Sequence, residues 1–141
     1  MKGSAAVETA EIESLDQEGR GVAHLDGKTV FVDGALPGEC VSLRRTRRQR
    51  RHDEAVVVEV QRASPERVTA RCVHYGVCGG CSLQHLDHGA QLAAKGRVFA
   101  ETLARIGGVE PGEWLPPLTG PTFAYRRRAR LGCKFVEKKG K

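Results

Sequence analysis

The chain of 141 residues is long enough for one ordinary domain or two very small ones, and too short for a small barrel together with a complete cofactor-binding enzyme domain. Its net charge of +6 is compatible with a polyanionic partner, and the lack of a long apolar run or an apolar leader predicts a cytoplasmic protein without a membrane span. Five cysteines, an odd number, favour metal ligation over a disulfide framework.

The first part of the chain contains five short runs of alternating or β-branched residues. These runs are Ala10–Leu15, Val22–Leu25, Thr29–Val32, Cys40–Leu43 and Ala55–Val60. Glycine-containing turns separate them, and Asp26-Gly27 is the clearest hairpin signal because this pair tolerates positive φ. Five short strands without a helical period bury an apolar face most simply by closing on themselves. The sequence therefore predicts an OB-like five-stranded β-barrel that ends before Pro65.

Arginine is concentrated in two basic runs, Arg44–Arg51 and Arg126–Arg130. The first is predicted to form a loop on the barrel, where guanidinium groups pair with phosphates and stack on unpaired bases. A solvated charged loop is the alternative interpretation of one run, but two runs beside a barrel favour RNA binding. The candidate RNA-binding residues are Lys28, Arg44, Arg45, Arg47, Arg48, Arg50, Arg51, Arg126, Arg127, Arg128 and Arg130.

A cysteine loop follows the barrel. Cys72, Cys78 and Cys81 have the spacing C-x5-C-x2-C, which allows three thiolates to surround one metal centre. The pair Gly79-Gly80 permits a tight turn whose amide N–H groups can point at bound sulfide. The sequence therefore predicts a metal-binding loop with these three cysteines as ligands.

The fourth ligand of this loop stays open, because iron–sulfur clusters usually take four cysteines. It is Cys133, a residue beyond the sequence, or one of His74, His85 and His88, which would instead make a Cys3His zinc site. Spacing alone favours iron–sulfur and zinc equally, with a metal-free loop as the third alternative. As isolated cysteines, Cys40 and Cys133 are better interpreted as buried structural thiols.

One helix is predicted after the cysteines. Apolar residues in Gln91–Ile106 recur at spacings of seven, four and three, which is typical of an amphipathic helix with a packing face. These residues are Leu92, Phe99, Leu103 and Ile106. A strand-like pattern then runs from Phe123 to Val136 without a closing element. The sequence predicts three segments: a barrel at 1–62, the cysteine loop and helix at 63–110, and a connector with the truncated start of a further α/β domain at 111–141.

Several motifs resemble a known family. Glu18–Ala23, Gly27–Val32 and Ala35–Glu39 are similar to a TRAM domain, the small OB-like RNA-binding barrel of RNA-modifying enzymes. Ser64–His85 resembles the iron–sulfur segment of bacterial 23S ribosomal RNA (uracil-5-)-methyltransferases, and Tyr125–Leu131 resembles the start of their next domain. The resemblance extends over nearly the whole chain, with three motifs in the same order.

The resemblance implies that Cys72, Cys78 and Cys81 are three ligands of a [4Fe–4S] cluster, and that the fourth lies downstream of Tyr125–Leu131 and is not Cys133. It implies methyl transfer from S-adenosylmethionine to C5 of a uracil turned out of its RNA stack. In that reaction a cysteine thiolate adds to C6, the enolate takes the methyl group, and a base removes the C5 proton. No catalytic residue is assigned here, so we expect a monomer that binds RNA, 23S rRNA in particular, without activity of its own.

Two other classes of protein carry similar elements. A free-standing RNA-binding module with a Cys3His zinc loop needs nothing beyond these residues. A radical-SAM methylthiotransferase is disfavoured. The pattern that such enzymes resemble has cysteines spaced C-x3-C-x2-C and the barrel at the C-terminus, whereas here five residues separate the first two cysteines and the barrel comes first.

Overall fold

The computed structural model describes residues 6–128, 130 and 132. Within them the chain is mainly β with one helix, as the sequence predicts. The elements are β1 (Val7–Glu11), β2 (Ser14–Leu15), β3 (Gly21–Leu25), β4 (Lys28–Asp33), β5 (Cys40–Arg48), β6 (His52–Arg62) and α1 (His88–Thr102), which continues into a π-helical turn over Leu103–Gly107.

A tight hairpin joins β3 to β4. Asp26 and Gly27 have φ values of 54° and 74°, and Leu25 pairs directly with Lys28 across the turn. Positive φ at both central positions is the geometry of a type I′ turn, whose twist matches that of the flanking strands. The hairpin predicted from the Asp-Gly pair is therefore confirmed.

All six strands form one sheet in the order β1-β5-β6-β4-β3-β2. Neighbouring strands are antiparallel except β4 and β6, which run parallel. The two edge strands, β1 and β2, are consecutive in the chain, and β1 also contacts β3, so the sheet curls strongly. The described residues thus form an OB-like curled sheet, called the barrel below. No ladder joins β1 to β2 in it, so the predicted closure of the strands on themselves is not realised among the described residues.

The strand count differs from the predicted five because the run Ala10–Leu15 is divided in two. Its middle leaves the β1 ladder to bond elsewhere: the Ile12 N–H donates to the Glu39 carbonyl at 2.9 Å, and the Glu13 N–H donates to the Val22 carbonyl at 2.8 Å. The first part therefore pairs with β5 and the second with β3. A run that reads as one strand can serve two ladders when a sheet curls.

The core of the barrel consists of inward-facing side chains on alternate positions of the strands. Val30 and Val32 on β4, and Val41 and Leu43 on β5, are fully buried. Gly21 has no room for a side chain, because an added Cβ would lie 2.9 Å from atoms of Ile12 and Ala35. The buried cluster comprises Ala10, Ile12, Ala23, Val30, Val32, Ala35, Val41, Leu43 and Ala55.

Helix α1 is attached mainly through its first turns. The Asp87 carboxylate caps it by accepting from the Gly89 N–H at 2.8 Å. The Gln91 amide donates to the carbonyls of Leu83 and Leu86 at 3.0 and 2.9 Å. Because these contacts lie at its N-terminal end, the start of α1 is held against the cysteine segment.

The predicted packing face of the helix is wrong at its C-terminal end. Phe99 and Ile106 are 57% and 77% exposed, and Ala94 is the buried residue of α1. The Phe99 ring instead meets Trp114 edge-on, with centroids 5.9 Å apart. The apolar period predicts a helix correctly, but Phe99 and Ile106 do not belong to a buried packing face.

The last segment has no regular element where it is described. Residues 109–128 contain neither helix nor strand. The strand-like pattern predicted for Phe123–Val136 is not realised over residues 123–128, and the remainder lies outside the described residues except for 130 and 132.

Candidate nucleic-acid interface and thiolate loop

The first basic run is part of a β-hairpin. Strand β5 continues to Arg48, so the turn to β6 comprises only Gln49–Arg51, and the prediction of a loop is wrong for Arg44–Arg48. The strand continues because β6 supplies a ladder of partners, in which Arg48 lies opposite Asp53. A register shift between Arg45 and Arg47 marks a β-bulge, which changes the direction of the side chains that follow.

A buried carboxylate anchors this hairpin tip. Asp53, 1% exposed, accepts from the Lys28 Nζ and the Arg45 Nη1 at 2.5 Å each, and from the Gln49 N–H at 3.2 Å. The Lys28 hydrogen bond, with that of Arg45, lowers the pKa of Asp53 to about 2 against the effect of burial. Arg45 also pairs with Glu8 at 2.7 Å and is only 10% exposed. Lys28 and Arg45 therefore stabilise the barrel from within.

The other arginines of the first run are exposed to solvent. They are Arg44, Arg47, Arg48, Arg50 and Arg51. Within the described chain, none of the five forms an ion pair with an acidic side chain. Five cations on a short, well-anchored hairpin make a surface suited to a polyanion.

The cysteine loop is folded by its own backbone. The Tyr75 N–H donates to the Cys72 carbonyl at 3.0 Å, and the N–H groups of Val77 and Cys78 both donate to the His74 carbonyl at 3.1 Å. Gly76 has a φ of 79°, a left-handed conformation that favours glycine. Successive turns therefore replace regular structure between the first two cysteines.

The three thiols suit soft metal chemistry but do not converge on one ion. Cys78 and Cys81 are exposed, Cys72 is half-buried, and all three are free. The Gly80 N–H donates to the Cys78 Sγ at 3.4 Å, the kind of contact that stabilises a thiolate. In the part of the chain that the structure describes, no three His, Cys, Asp or Glu side chains form a group that could hold a single metal ion. The thiol donors fit a polynuclear cluster chemically, since such a cluster is ligated over a wider span than one ion is.

The three histidines that were considered as a fourth ligand lie in different surroundings. His74 and His88 are exposed, whereas His85 is 4% exposed and bonds through Nδ1 to the Tyr75 hydroxyl. Burial, and then the charge of Arg67, lower the pKa of His85 to about 4. His85 is thus a neutral, buried side chain at neutral pH.

A second buried carboxylate links the barrel to the cysteine segment. Glu39 is fully buried and accepts from Arg67 at 2.6 and 2.8 Å and from the N–H groups of Leu36 and Ser64 at 2.9 and 3.1 Å. Although burial alone would raise the pKa of Glu39, these bonds lower it. Arg67 also forms a β-bridge with Leu86, just beyond the cysteine loop. Glu39 therefore joins the two regions through one ion pair.

The cysteine loop also touches the turn between β2 and β3. Gly19, with a φ of 82°, lies so close to Leu83 that an added Cβ would be 3.1 Å from its side chain. Ser82 approaches the same glycine, at 3.3 Å from the added Cβ. Gly19 thus permits both the turn between β2 and β3 and the close contact of this turn with the cysteine loop.

A cleft of about 680 Å³ lies between the cysteine loop, α1 and the last segment. Three cationic side chains line it, from Arg71, Lys95 and Arg126, and Cys81 is at its wall. The guanidinium of Arg71 stacks 4.8 Å from the centre of the Phe123 ring. The cleft therefore joins cations and an aromatic face next to the Cys81 thiol.

The remaining predicted site residues are mostly exposed. Arg127, Arg128 and Arg130 of the second basic run are on the surface. Cys40, predicted to be buried, is half-buried, and its Sγ lies 3.5 Å from Gln61 Oε1. Cys133 lies outside the described residues.

Sequence reasoning missed the buried polar residues that organise these surfaces. For Asp53 a signal exists: it shares the inward face of β6 with Ala55, and a carboxylate on the core face of a strand requires an internal cation. For Tyr75 and Arg67 no local pattern indicates a role, because their partners lie elsewhere in the chain.

Comparison with known proteins finds similarity over both regions. Residues 5–73 match the family model of the TRAM domain. The chain is 56% identical over 131 residues to the 23S rRNA (uracil(1939)-C(5))-methyltransferase RlmD of Nitrosococcus oceani, and 53% identical over 133 residues to that of Alcanivorax borkumensis. The alignments cover 92% and 94% of this chain. The chain is thus similar to 23S rRNA uracil-C5 methyltransferases over nearly the whole of its own length. The resemblance seen in its motifs is thereby confirmed.

The similarity extends over only part of the relatives' length. The two alignments cover 29% and 30% of the relatives' own lengths, and a third relative, from Bordetella pertussis, is 52% identical over 95% of this chain and 29% of its own. The chain thus spans about 30% of the length of the curated relatives that it matches. Among the described residues, no helix combines the length and apolar character needed to cross a membrane.

Proposed function

We propose that this chain provides the RNA-binding barrel and three cluster ligands of an S-adenosylmethionine-dependent methyltransferase that acts on uracil C5 in 23S rRNA. The observation that carries the proposal is an arginine-rich hairpin tip on a TRAM barrel whose relatives are named for rRNA methylation. Ribosomal RNA as substrate agrees with the cytoplasmic location expected from the sequence.

The hairpin tip is the first RNA contact in this proposal. Arg47, Arg48 and Arg50 are exposed on a turn that Asp53 anchors from inside the barrel. Because the turn is ordered before RNA arrives, little conformational entropy is lost when the guanidinium groups meet phosphates. Such contacts release counterions, so they predict affinity that falls steeply with salt. Lys28 and Arg45 support the tip and are left out of the proposed contact surface.

The cleft beside the thiols is the second RNA contact that we propose. Arg71, Lys95 and Arg126 supply positive charge there, and the Phe123 ring supplies an apolar face. Cations interleaved with aromatic rings are typical of single-stranded nucleic-acid binding. A single-stranded segment is what an enzyme that turns a uracil out of its stack must hold.

Cys72, Cys78 and Cys81 are the residues that would hold a [4Fe–4S] cluster. When bound, the cluster would supply covalent cross-links within a loop that has no hydrophobic core of its own. The Gly80 N–H already donates to one of these sulfurs. The fourth ligand is not assigned to any described residue.

The chemistry of methyl transfer is not assigned to this chain. No described residue is assigned to binding S-adenosylmethionine or to attacking uracil. We therefore propose that the 141 residues alone bind RNA without methylating it, which a radiolabelled methyl-transfer assay checks directly.

The salt dependence of RNA binding tests the proposed interface. Replacing Arg47, Arg48 and Arg50 by Ala removes three phosphate contacts, so the slope of log affinity against log salt should become shallower by roughly 2. Fluorescence anisotropy with a labelled, uridine-containing RNA hairpin measures this slope. A control with the same loss of charge replaces Arg62, Arg97 and Arg105, which are exposed elsewhere. Equal slopes for the two triple variants would contradict the assignment of the tip.

Metal content tests the proposed cluster ligands. Protein purified without oxygen should contain iron and acid-labile sulfide in similar amounts and show a broad visible absorption band. Zinc without sulfide would instead support the Cys3His alternative.

A further inference from the structure

Tyr75 lies midway between the first two cysteines of the loop, and its side chain reaches back to the chain beyond the third. Its hydroxyl donates to the Ser82 carbonyl at 2.8 Å and also contacts the His85 Nδ1. A hydroxyl has only one proton, and a carbonyl oxygen can only accept. The contact with His85 therefore requires that Nδ1 carries a proton and donates it to the Tyr75 oxygen.

His85 is held in this tautomer by its surroundings. The side chain is buried, and in the described chain its Nε2 has no hydrogen-bond partner. An Nε2 without an acceptor nearby is best left unprotonated, which agrees with the neutral ring inferred from burial. The backbone of His85 is fixed as well, because its carbonyl accepts from the Val68 N–H at 2.9 Å. Tyr75 is thus hydrogen-bonded to a residue whose backbone is held next to the barrel.

Hydrogen bonds from Tyr75 and Cys72 connect the two flanks of the cysteine loop. While Tyr75 bonds to Ser82 and His85, the Cys72 N–H donates to the Gln84 Oε1 at 3.1 Å. Gly76 and Gly79 both adopt positive φ, and a loop with such residues loses much entropy on ordering. These hydrogen bonds restrict the conformations of the loop while leaving the thiols of Cys78 and Cys81 accessible.

We propose that Tyr75 and His85 are positioning residues for metal binding by the cysteine loop. Neither is a ligand: the hydrogen-bonded pair holds together the two flanks of the loop that carries the three thiolates. The inference rests on the proposed role of Cys72, Cys78 and Cys81 as ligands. It assigns a function to a pair of a half-buried tyrosine and a buried histidine that the RNA surface does not use.

The test compares two tyrosines that each lose one hydroxyl. Tyr75→Phe should weaken metal binding roughly tenfold, as loss of a residue that orients ligands typically does. Tyr125→Phe is the matched control, because it removes the hydroxyl of an exposed tyrosine outside the loop. An iron–sulfur cluster is assembled without oxygen on the full chain, and its retention in the presence of an iron chelator is followed by its visible absorption.

A second pair of variants distinguishes the positioning role from a general loss of stability. His85→Asn keeps an N–H donor toward Tyr75 and should retain more of the iron–sulfur cluster than His85→Leu, which has no donor. Nitrogen-detected NMR of the wild type should also show the Nδ1–H tautomer of His85 at neutral pH. An Nε2–H tautomer would overturn the inference.

The outcomes for the two proposals are distinct. If wild type binds no iron–sulfur cluster, the proposed ligand role fails and the positioning role fails with it. If wild type and Tyr75→Phe bind metal equally, the positioning role alone is overturned, even where the variant lowers the melting temperature.

Discussion

The barrel and the cysteine segment of this chain are stabilised in different ways. The barrel has a continuous core of nine buried hydrophobic residues contributed by five of its strands and the adjoining loops. In residues 63–110, all of them described, Leu86 and Ala94 are the buried hydrophobic side chains. Side chains that bond to the backbone, such as Gln91 and Tyr75, hold that segment instead.

This difference implies that the stability of the cysteine segment depends on the barrel. A short segment cannot bury enough apolar surface to offset the entropy of ordering its backbone. Its additional stability comes from the Glu39–Arg67 ion pair, from contacts with the barrel, and, in our proposal, from metal. We expect perturbations of the barrel to affect both regions, and perturbations of the cysteine segment to leave the barrel folded.

The largest expected effect is in the barrel core. Leu43→Ala removes a fully buried side chain and leaves a cavity, so it should lower the free energy of unfolding by about 3–4 kcal/mol. Urea denaturation followed by circular dichroism measures this loss. Leu118→Ala, at a fully exposed position, should change stability by less than about 0.5 kcal/mol. Similar losses for both would disprove the core assignment.

A smaller effect is expected at the connection between the regions. Glu39→Gln removes the charge that Arg67 pairs with inside the protein, so stability should fall by about 2–3 kcal/mol. Hydrogen exchange should show faster opening of residues near Leu86 as well as of the barrel. The control is Glu11→Gln, because the exposed pair of Glu11 and Arg62 should contribute well under 1 kcal/mol. An unaffected cysteine segment would show that Glu39 does not couple the two regions.

The smallest of these effects is a dependence on mild acid through His85. Its pKa is about 4 when folded and about 6.5 when unfolded, so between these values the unfolded chain binds more protons. Stability should therefore fall by about 2 kcal/mol from pH 7 to pH 5, whereas Asp53, with a pKa of about 2, matters only in stronger acid. The groups that influence His85 are Arg67, Glu39 and Tyr75.

Unfolding measured at both pH values checks this dependence. His85→Asn should remove most of it, while the same change at the exposed His24 should leave it in place. If wild type were equally stable at pH 7 and pH 5, the neutral buried state of His85 would be incorrect.

Much of the fold was predictable because it depends on local pattern. The Asp26-Gly27 turn, the alternation of Val30 and Val32, and the helical period after Gln91 all reflect preferences of short stretches. The extension of β5 through Arg48 was not predictable, because an arginine-rich run has little strand propensity and its ladder comes from β6.

The sequence by itself determined the alternating strand segments, the hairpin turn, the helix and the spacing of the three cysteines, since each follows from chain-local chemistry. Only the tertiary structure decided which charged residues are free. Arg45 and Arg47 look equivalent in the sequence, yet Arg45 pairs with Glu8 and Asp53 from neighbouring strands and Arg47 faces solvent. The same holds for Tyr75, whose partners lie on the far side of a loop. Such roles depend on distances between residues that are remote in sequence, and only folding brings those residues together.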